Sequence, residues 1–333
     1  MPAATLAVSP FRWQDGERLV RFGRGALDEA PDLLGEDYQL LTTVRGLEAA
    51  PDLAAGAAEV HHVAAGHVDE VAAELRASVD GERLVALGGG RVIDVAKALA
   101  AADPPRRVAA VPTTLSAAEM TALHRHASGV PADTPRVRPA IVLNDPALSA
   151  SQPEPQLAAS ALNSLAHAAE APLTPLASPV STLAALEGAR LLALGFQPAD
   201  PERDALALGA LLAGYAAGAA GFGLHHVMAQ TLVRLTGVGH GAANAVLLPH
   251  TLPPLARRFA AEMERLEEAV GGEPSAVAAS ILARLGVSRL RDCGVSREAL
   301  PGCAAAAAER PELALTPPAA GHDELLELYE AAW

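Results

Sequence analysis

Residues 223–250, GLHHVMAQTLVRLTGVGHGAANAVLLPH, set His225, His226, His240 and His250 in an otherwise apolar segment. An imidazole is costly to bury unless it is hydrogen-bonded, liganded or handling protons. A second patch, ALNSLAHAAE over residues 161–170, places Asn163 and His167 four residues apart on one helical face. Asn163, His167, His226 and His240 are therefore the candidate catalytic set. Imidazoles suit a divalent metal, but the fourth member is a neutral amide where a carboxylate would bring charge. Moving a proton, or polarising a carbonyl, is the more economical chemistry for such a set. A lone histidine on an apolar helix is ordinarily a hydrogen-bonded core residue; three from two distant segments weaken that explanation.

A second group could hold an anion. Gly88, Gly89 and Gly90 end the apolar run RLVAL (residues 83–87) and lead into a helical stretch at 92–101. Between a strand and a helix, such a turn aims backbone N–H groups and a helix N-terminus at an anion, the usual cradle for a pyrophosphate. The run is not GxGxxG, and a glycine turn needed only for its backbone conformation is the alternative. Arg91 adds a fixed positive charge. Asp94 and Lys97, three apart on the helix, are either an ordinary surface ion pair or ligands one turn beyond the cradle. Thr113 and Thr114 bring hydroxyls to the end of the next strand, where open α/β sheets bind ligands. An ordinary capped loop would look the same.

Residues 38–43 (YQLLTT), 83–87 and 107–111 (RVAAV) read as buried strands, and residues 45–57, 66–78 and 92–101 as helices. Their alternation predicts an α/β N-terminal dinucleotide-binding domain with a parallel sheet, residues 1–148. From residue 149 strand-like runs cease. Ala/Leu-rich helices, punctuated by Pro153, Pro172, Pro175, Pro179, Pro253 and Pro254, predict an all-α C-terminal domain over 149–333 that carries the substrate site. Half the chain is hydrophobic but only 3% aromatic, so the core must be built from Ala, Leu and Val. A net charge of −14 argues against nucleic acid and against an anionic membrane surface. Residues 205–224 have the length of a membrane span, but their Ala/Gly composition fits a closely packed interior helix. Cys293 and Cys303 form no disulfide framework, and the first residues lack the pattern of a signal peptide; a cytoplasmic protein is expected.

Taken in order, FGRGAL (22–27), ALGGGRVIDVAKA (86–98), VPTTLSAAEMT (111–121), RPAIVLNDPAL (138–148), ALNSLAHAAEA, GLHH and HGAANAVLLPH resemble the iron-containing alcohol dehydrogenase superfamily, and within it the maleylacetate reductases. The resemblance implies the dehydroquinate synthase-like fold, with NAD or NADP on Gly88, Gly89, Gly90, Arg91, Asp94, Lys97, Thr113 and Thr114, and substrate in a cleft between the domains. Metal-dependent relatives ligate their ion with an Asp and three His; here those positions are Asn163, His167, His226 and His240. Maleylacetate reductases share the Asn, the GLHH run and the EMT of residues 119–121. The resemblance thus implies a homodimer that reduces maleylacetate to 3-oxoadipate in aromatic-compound degradation, without a metal. It departs from that pattern at Gln230, where relatives carry a histidine, and at LSAAE, which lacks a glycine. A metal-dependent alcohol or polyol dehydrogenase using His167, His226 and His240 is the alternative, as is a degenerate cofactor-binding homologue.

Overall fold

The computed structural model describes residues 8–333, which divide into two compact units, one running to Gln152 and the other Pro153–Trp333. The first is built on β1 (Phe11–Asp15), β2 (Arg18–Phe22), β3 (Tyr38–Thr42), β4 (Ala57–His62), β5 (Arg83–Gly88), β6 (Arg107–Pro112) and β7 (Ile141–Asn144). These form one sheet in the order β1-β2-β7-β6-β5-β3-β4. Only the β1–β2 hairpin is antiparallel. Helices α1 (Ala30–Leu34), α2 (Val44–Ala49), α3 (Val68–Leu75) and α4 (Gly90–Ala102) lie in the connections.

Side chains alternate across β5. Leu84 and Ala86 enter a core with Leu41, Ile93, Leu99 and Val108; Val85 and Leu87 enter another with Leu40, Val111 and Leu143. A strand covered on both faces reads as an unbroken apolar run, which is why residues 83–87 announce themselves. The helix expected over residues 45–57 is not continuous. Thr43 caps α2 by accepting from the Gly46 amide at 3.1 Å, and Ala50 leaves the helical conformation. Pro51 then opens a 3-10 turn, and the chain enters β4. As an edge strand with His61 its one buried side chain, β4 has no apolar pattern to betray it.

The regular structure of the second unit is helical: α5 (Glu154–Glu170), α6 (Pro179–Gly195), α7 (Arg203–Ala220), α8 (Leu224–Thr236), α9 (His240–Arg258), α10 (Ala260–Val270), α11 (Pro274–Leu282), α12 (Leu300–Ala308) and α13 (His322–Ala332), with short 3-10 turns between. Its Ala/Gly content has a packing cause. A Cβ on Gly188 of α6 would lie 2.9 Å from the Gly209 carbonyl of α7, and one on Gly209 would lie 2.9 Å from the Gly188 carbonyl. The two backbones meet because neither residue has a side chain. Pro253 and Pro254, read as breaks, instead lie with Pro249 inside α9. Among the described residues no single helix is long and apolar enough to cross a membrane; α7 and α8 pass that test only together, and the pair is bent by 97°.

Candidate active site

In the first unit, the turn after β5 is shaped by its glycines. A Cβ on Gly88 would sit 2.7 Å from Val92; one on Gly89 would meet Thr114 at 3.0 Å, and one on Gly90 would meet Ser116 at 3.0 Å. The Thr113 amide donates to the Gly88 carbonyl at 3.0 Å, tying the end of β6 to the turn. Side chains at Gly89 or Gly90 would crowd the space in front of the first N–H groups of α4. The bare turn fits a pyrophosphate, whose charge the helix N-terminus favours. Arg91 is exposed in the first turn of α4.

Asp94 and Lys97 are not a surface pair. Lys97 is fully buried, 2.7 Å from Asp94, and its ammonium donates to the carbonyls of Ala118 (2.9 Å), Leu123 (2.8 Å) and Thr121 (3.2 Å). Buried Arg18 donates to the Met120 carbonyl at 2.9 Å. These two cations brace the segment beyond Thr114, in which Ala117 holds a left-handed conformation (φ 62) that ordinarily favours glycine. Between them lies Glu119, buried, with Oε2 lacking a hydrogen-bond partner; burial pushes its carboxyl up to about 7.

The histidine site is organised by a residue the motif reading passed over. Asn163, His167 and Glu170 share one face of α5, at spacings of four and three. Glu170 caps α8: Oε1 accepts from the His225 amide at 2.7 Å and Oε2 from the His226 amide at 3.2 Å. The Leu224 amide donates to Thr316 Oγ1 at 3.0 Å. Early N–H groups of a helix have no partner within it, and a carboxylate there answers both the donors and the dipole. Oε2 also accepts from His226 Nδ1 at 2.6 Å. With Nδ1–H given to Glu170, neutral His226 carries its lone pair on Nε2, which is buried and has no hydrogen-bond partner. Burial pushes His226 down to about 3, and Glu170 up against the pull of His225 and of the amides it accepts from.

His167 lies beside His226, ring centroids 4.2 Å apart, with Phe222 4.6 Å from His226. The Asn163 amide nitrogen is 3.2 Å from His167 Nε2. Burial holds His167 well below the ordinary histidine range, and its Nδ1 has no hydrogen-bond partner. His225, the neighbour in sequence, faces elsewhere: Nδ1 meets Thr251 Oγ1 at 2.9 Å and Nε2 meets Asn244 Oδ1 at 3.1 Å, a fully satisfied core imidazole. His240 is exposed at the start of α9, close enough to lower the proton affinity of His167 and His226. Gln230 accepts from Arg310 at 3.0 Å. Among the described residues, no three His, Cys, Asp or Glu side chains are grouped as ligands of a metal ion.

Two family models cover nearly all of this chain. Residues 23–153 match the model described as iron-containing alcohol dehydrogenase, and residues 157–333 match Fe-containing alcohol dehydrogenase family, C-terminal. The chain belongs to the iron-containing alcohol dehydrogenase family. It is 32% identical to a maleylacetate reductase of Sphingobium indicum over 317 residues, 88% of this chain and 89% of that one. It is also 32% identical to maleylacetate reductase 1 of Rhodococcus opacus over 340 residues, 95% of this chain and 90% of that one. The crystal structure of maleylacetate reductase from Agrobacterium tumefaciens matches with a TM-score of 0.82 at 28% identity, covering 98% of this chain and 99% of that one. The protein is thus an oxidoreductase of this family, with its fold.

Proposed function

We propose that the protein is an NAD(P)H-dependent maleylacetate reductase that works without a metal ion. One observation carries the reading: the amide of Asn163 stands against His167 Nε2, where a metal site needs a carboxylate and an unencumbered ring nitrogen. The maleylacetate reductases among its relatives support the substrate.

The 88–90 turn, with Thr113 and Thr114, would hold the dinucleotide. When bound, the nicotinamide supplies a hydride to the carbon–carbon double bond conjugated with the substrate's ketone. The resulting enolate needs a donor at oxygen and a proton at carbon. Asn163 brings an amide rather than a charge to a substrate that already carries two carboxylates. His226 and His167, neutral in the free protein, leave His226 Nε2 and His167 Nδ1 unmet and buried. Carboxylates entering beside them favour protonated imidazole, so the site can take up the proton that the product requires. Glu170 holds the His226 ring in one tautomer meanwhile. Exposed His240 is suited to relaying protons to solvent.

The test is oxidation of NADH and NADPH with maleylacetate, compared with oxidation of primary alcohols and diols by NAD⁺ and NADP⁺. Rapid maleylacetate reduction with negligible alcohol turnover is expected; the opposite pattern would overturn the assignment.

A further inference from the structure

The nucleotide site of the proposed function has two flanks, and they differ. On the β6 side Thr114 and Ser116 stand within contact of Gly89 and Gly90. On the β3 side, Thr42 lies opposite Leu87 in the ladder, and its hydroxyl donates to the Leu87 carbonyl at 2.9 Å. A Cβ on Gly46 would sit 2.9 Å from that same carbonyl. The start of α2 is therefore pressed against the end of β5, from which the glycine turn departs. Adjacent strands lie about 4.8 Å apart, so Thr43, Val44 and Arg45 leave the sheet one strand-width from Gly88. Val44 is 65% exposed, and Arg45 is exposed beside it.

The end of a neighbouring strand is where dinucleotide folds read the adenosine ribose: a carboxylate accepts from the 2′-hydroxyl of NAD, or an arginine meets the 2′-phosphate of NADP. Here the residue after β3 is Thr43, whose Oγ1 is engaged by the Gly46 amide. The loops at this edge, residues 43–47, 62–67 and 88–93, contain Arg45, Arg91, His62 and His67 and no carboxylate at all. In a chain with a formal charge of −14, that local absence is informative. The first acid beyond Arg45 is Glu48, a turn further along α2.

We propose that Arg45, beside the glycine turn and with no acid where NAD would require one, selects NADP(H) over NAD(H) by pairing with the 2′-phosphate. This rests on the nucleotide reading above. The probes are NADP⁺, NAD⁺, 2′,5′-ADP and 5′-AMP, titrated calorimetrically into the full chain without substrate. NADP⁺ should bind about tenfold or more tightly than NAD⁺, and 2′,5′-ADP should exceed 5′-AMP similarly, as expected for one charge-assisted contact. Arg45→Ala should remove that advantage and leave NAD⁺ affinity within about twofold. NAD⁺ binding as tightly as NADP⁺, or Arg45→Ala weakening both alike, would overturn the inference while leaving the nucleotide site standing. Binding of neither nucleotide would overturn both. Because Arg45 is exposed, an unchanged melting temperature serves as the folding control.

Discussion

Replacing Glu170 with glutamine disturbs one side chain that performs two tasks. Its carboxylate accepts from the amides of His225 (2.7 Å) and His226 (3.2 Å) and from His226 Nδ1 (2.6 Å), all out of water. Glutamine keeps one acceptor oxygen and turns an NH₂ toward donors. At least one buried donor then faces another, at about 1–3 kcal/mol, and the N-terminus of α8 loses a charge worth up to about 1 kcal/mol. A net loss near 3 kcal/mol is expected, which for a unit of this size lowers Tm by about 6–12 °C. The His226 ring can relieve part of that by switching tautomer, accepting from the new NH₂ at Nδ1 and carrying its hydrogen on Nε2. The working nitrogen would then present a hydrogen instead of a lone pair, and kcat should fall by about 10²-fold or more even well below Tm. Thermal melts by circular dichroism and steady-state NADPH oxidation read the two effects separately. A variant with Tm within about 1 °C of the parent and an unaltered kcat would refute both the cap and the tautomer arguments.

Four further outcomes follow from the geometry. Gly209→Ala pushes a methyl into the α6–α7 contact and should cost about 1 kcal/mol net, overpacking exceeding the gain in helix propensity. Gly302→Ala, with nothing within 4 Å, should instead stabilise by about 1 kcal/mol; urea unfolding of both variants tests the contrast. Glu119, facing Lys97, Arg18 and Asp94, has its folded pKa raised above the unfolded one by burial. Its contribution is therefore present below pH ~4.5 and lost as pH rises through about 7, so the parent should lose about 3 kcal/mol relative to Glu119→Gln between pH 5 and 8; a difference that does not change with pH would count against it. Asn163→Asp brings a carboxylate to His167 and should raise Zn²⁺ affinity by about tenfold or more, measured by metal analysis after dialysis; unchanged metal content would argue that more than this one charge is missing.

The strand–turn–helix of residues 83–102 was legible because a doubly covered strand is apolar throughout and three glycines mark its end. The β1–β2 hairpin was overlooked although Asp15-Gly16 and the alternation of RLVRF mark it, because FRWQD itself only alternates half-buried with exposed positions. Sequence put His226 and not His225 in the candidate set, but it gave no physical account of what His225 does. They leave α8 in different directions, and only the partners Thr251 and Asn244 reveal His225 as structural. Glu170 stood in the motif already noticed, one turn after His167, but its role is to cap a helix that begins more than fifty residues later. Spacing places a residue on a face; it does not say what that face meets. Lys97 taught the opposite lesson. Its position beyond the cradle suggested a ligand, whereas its ammonium grips the 118–123 backbone.

The central claim, reduction of maleylacetate without a metal, is tested most directly on chelator-stripped protein whose residual iron and zinc have been quantified. NADPH or NADH oxidation with maleylacetate should run at the rate of the untreated enzyme, and added Zn²⁺ or Fe²⁺ should not raise it. Turnover that vanishes on stripping and returns with either ion would contradict the account and make His167, His226 and His240 metal ligands.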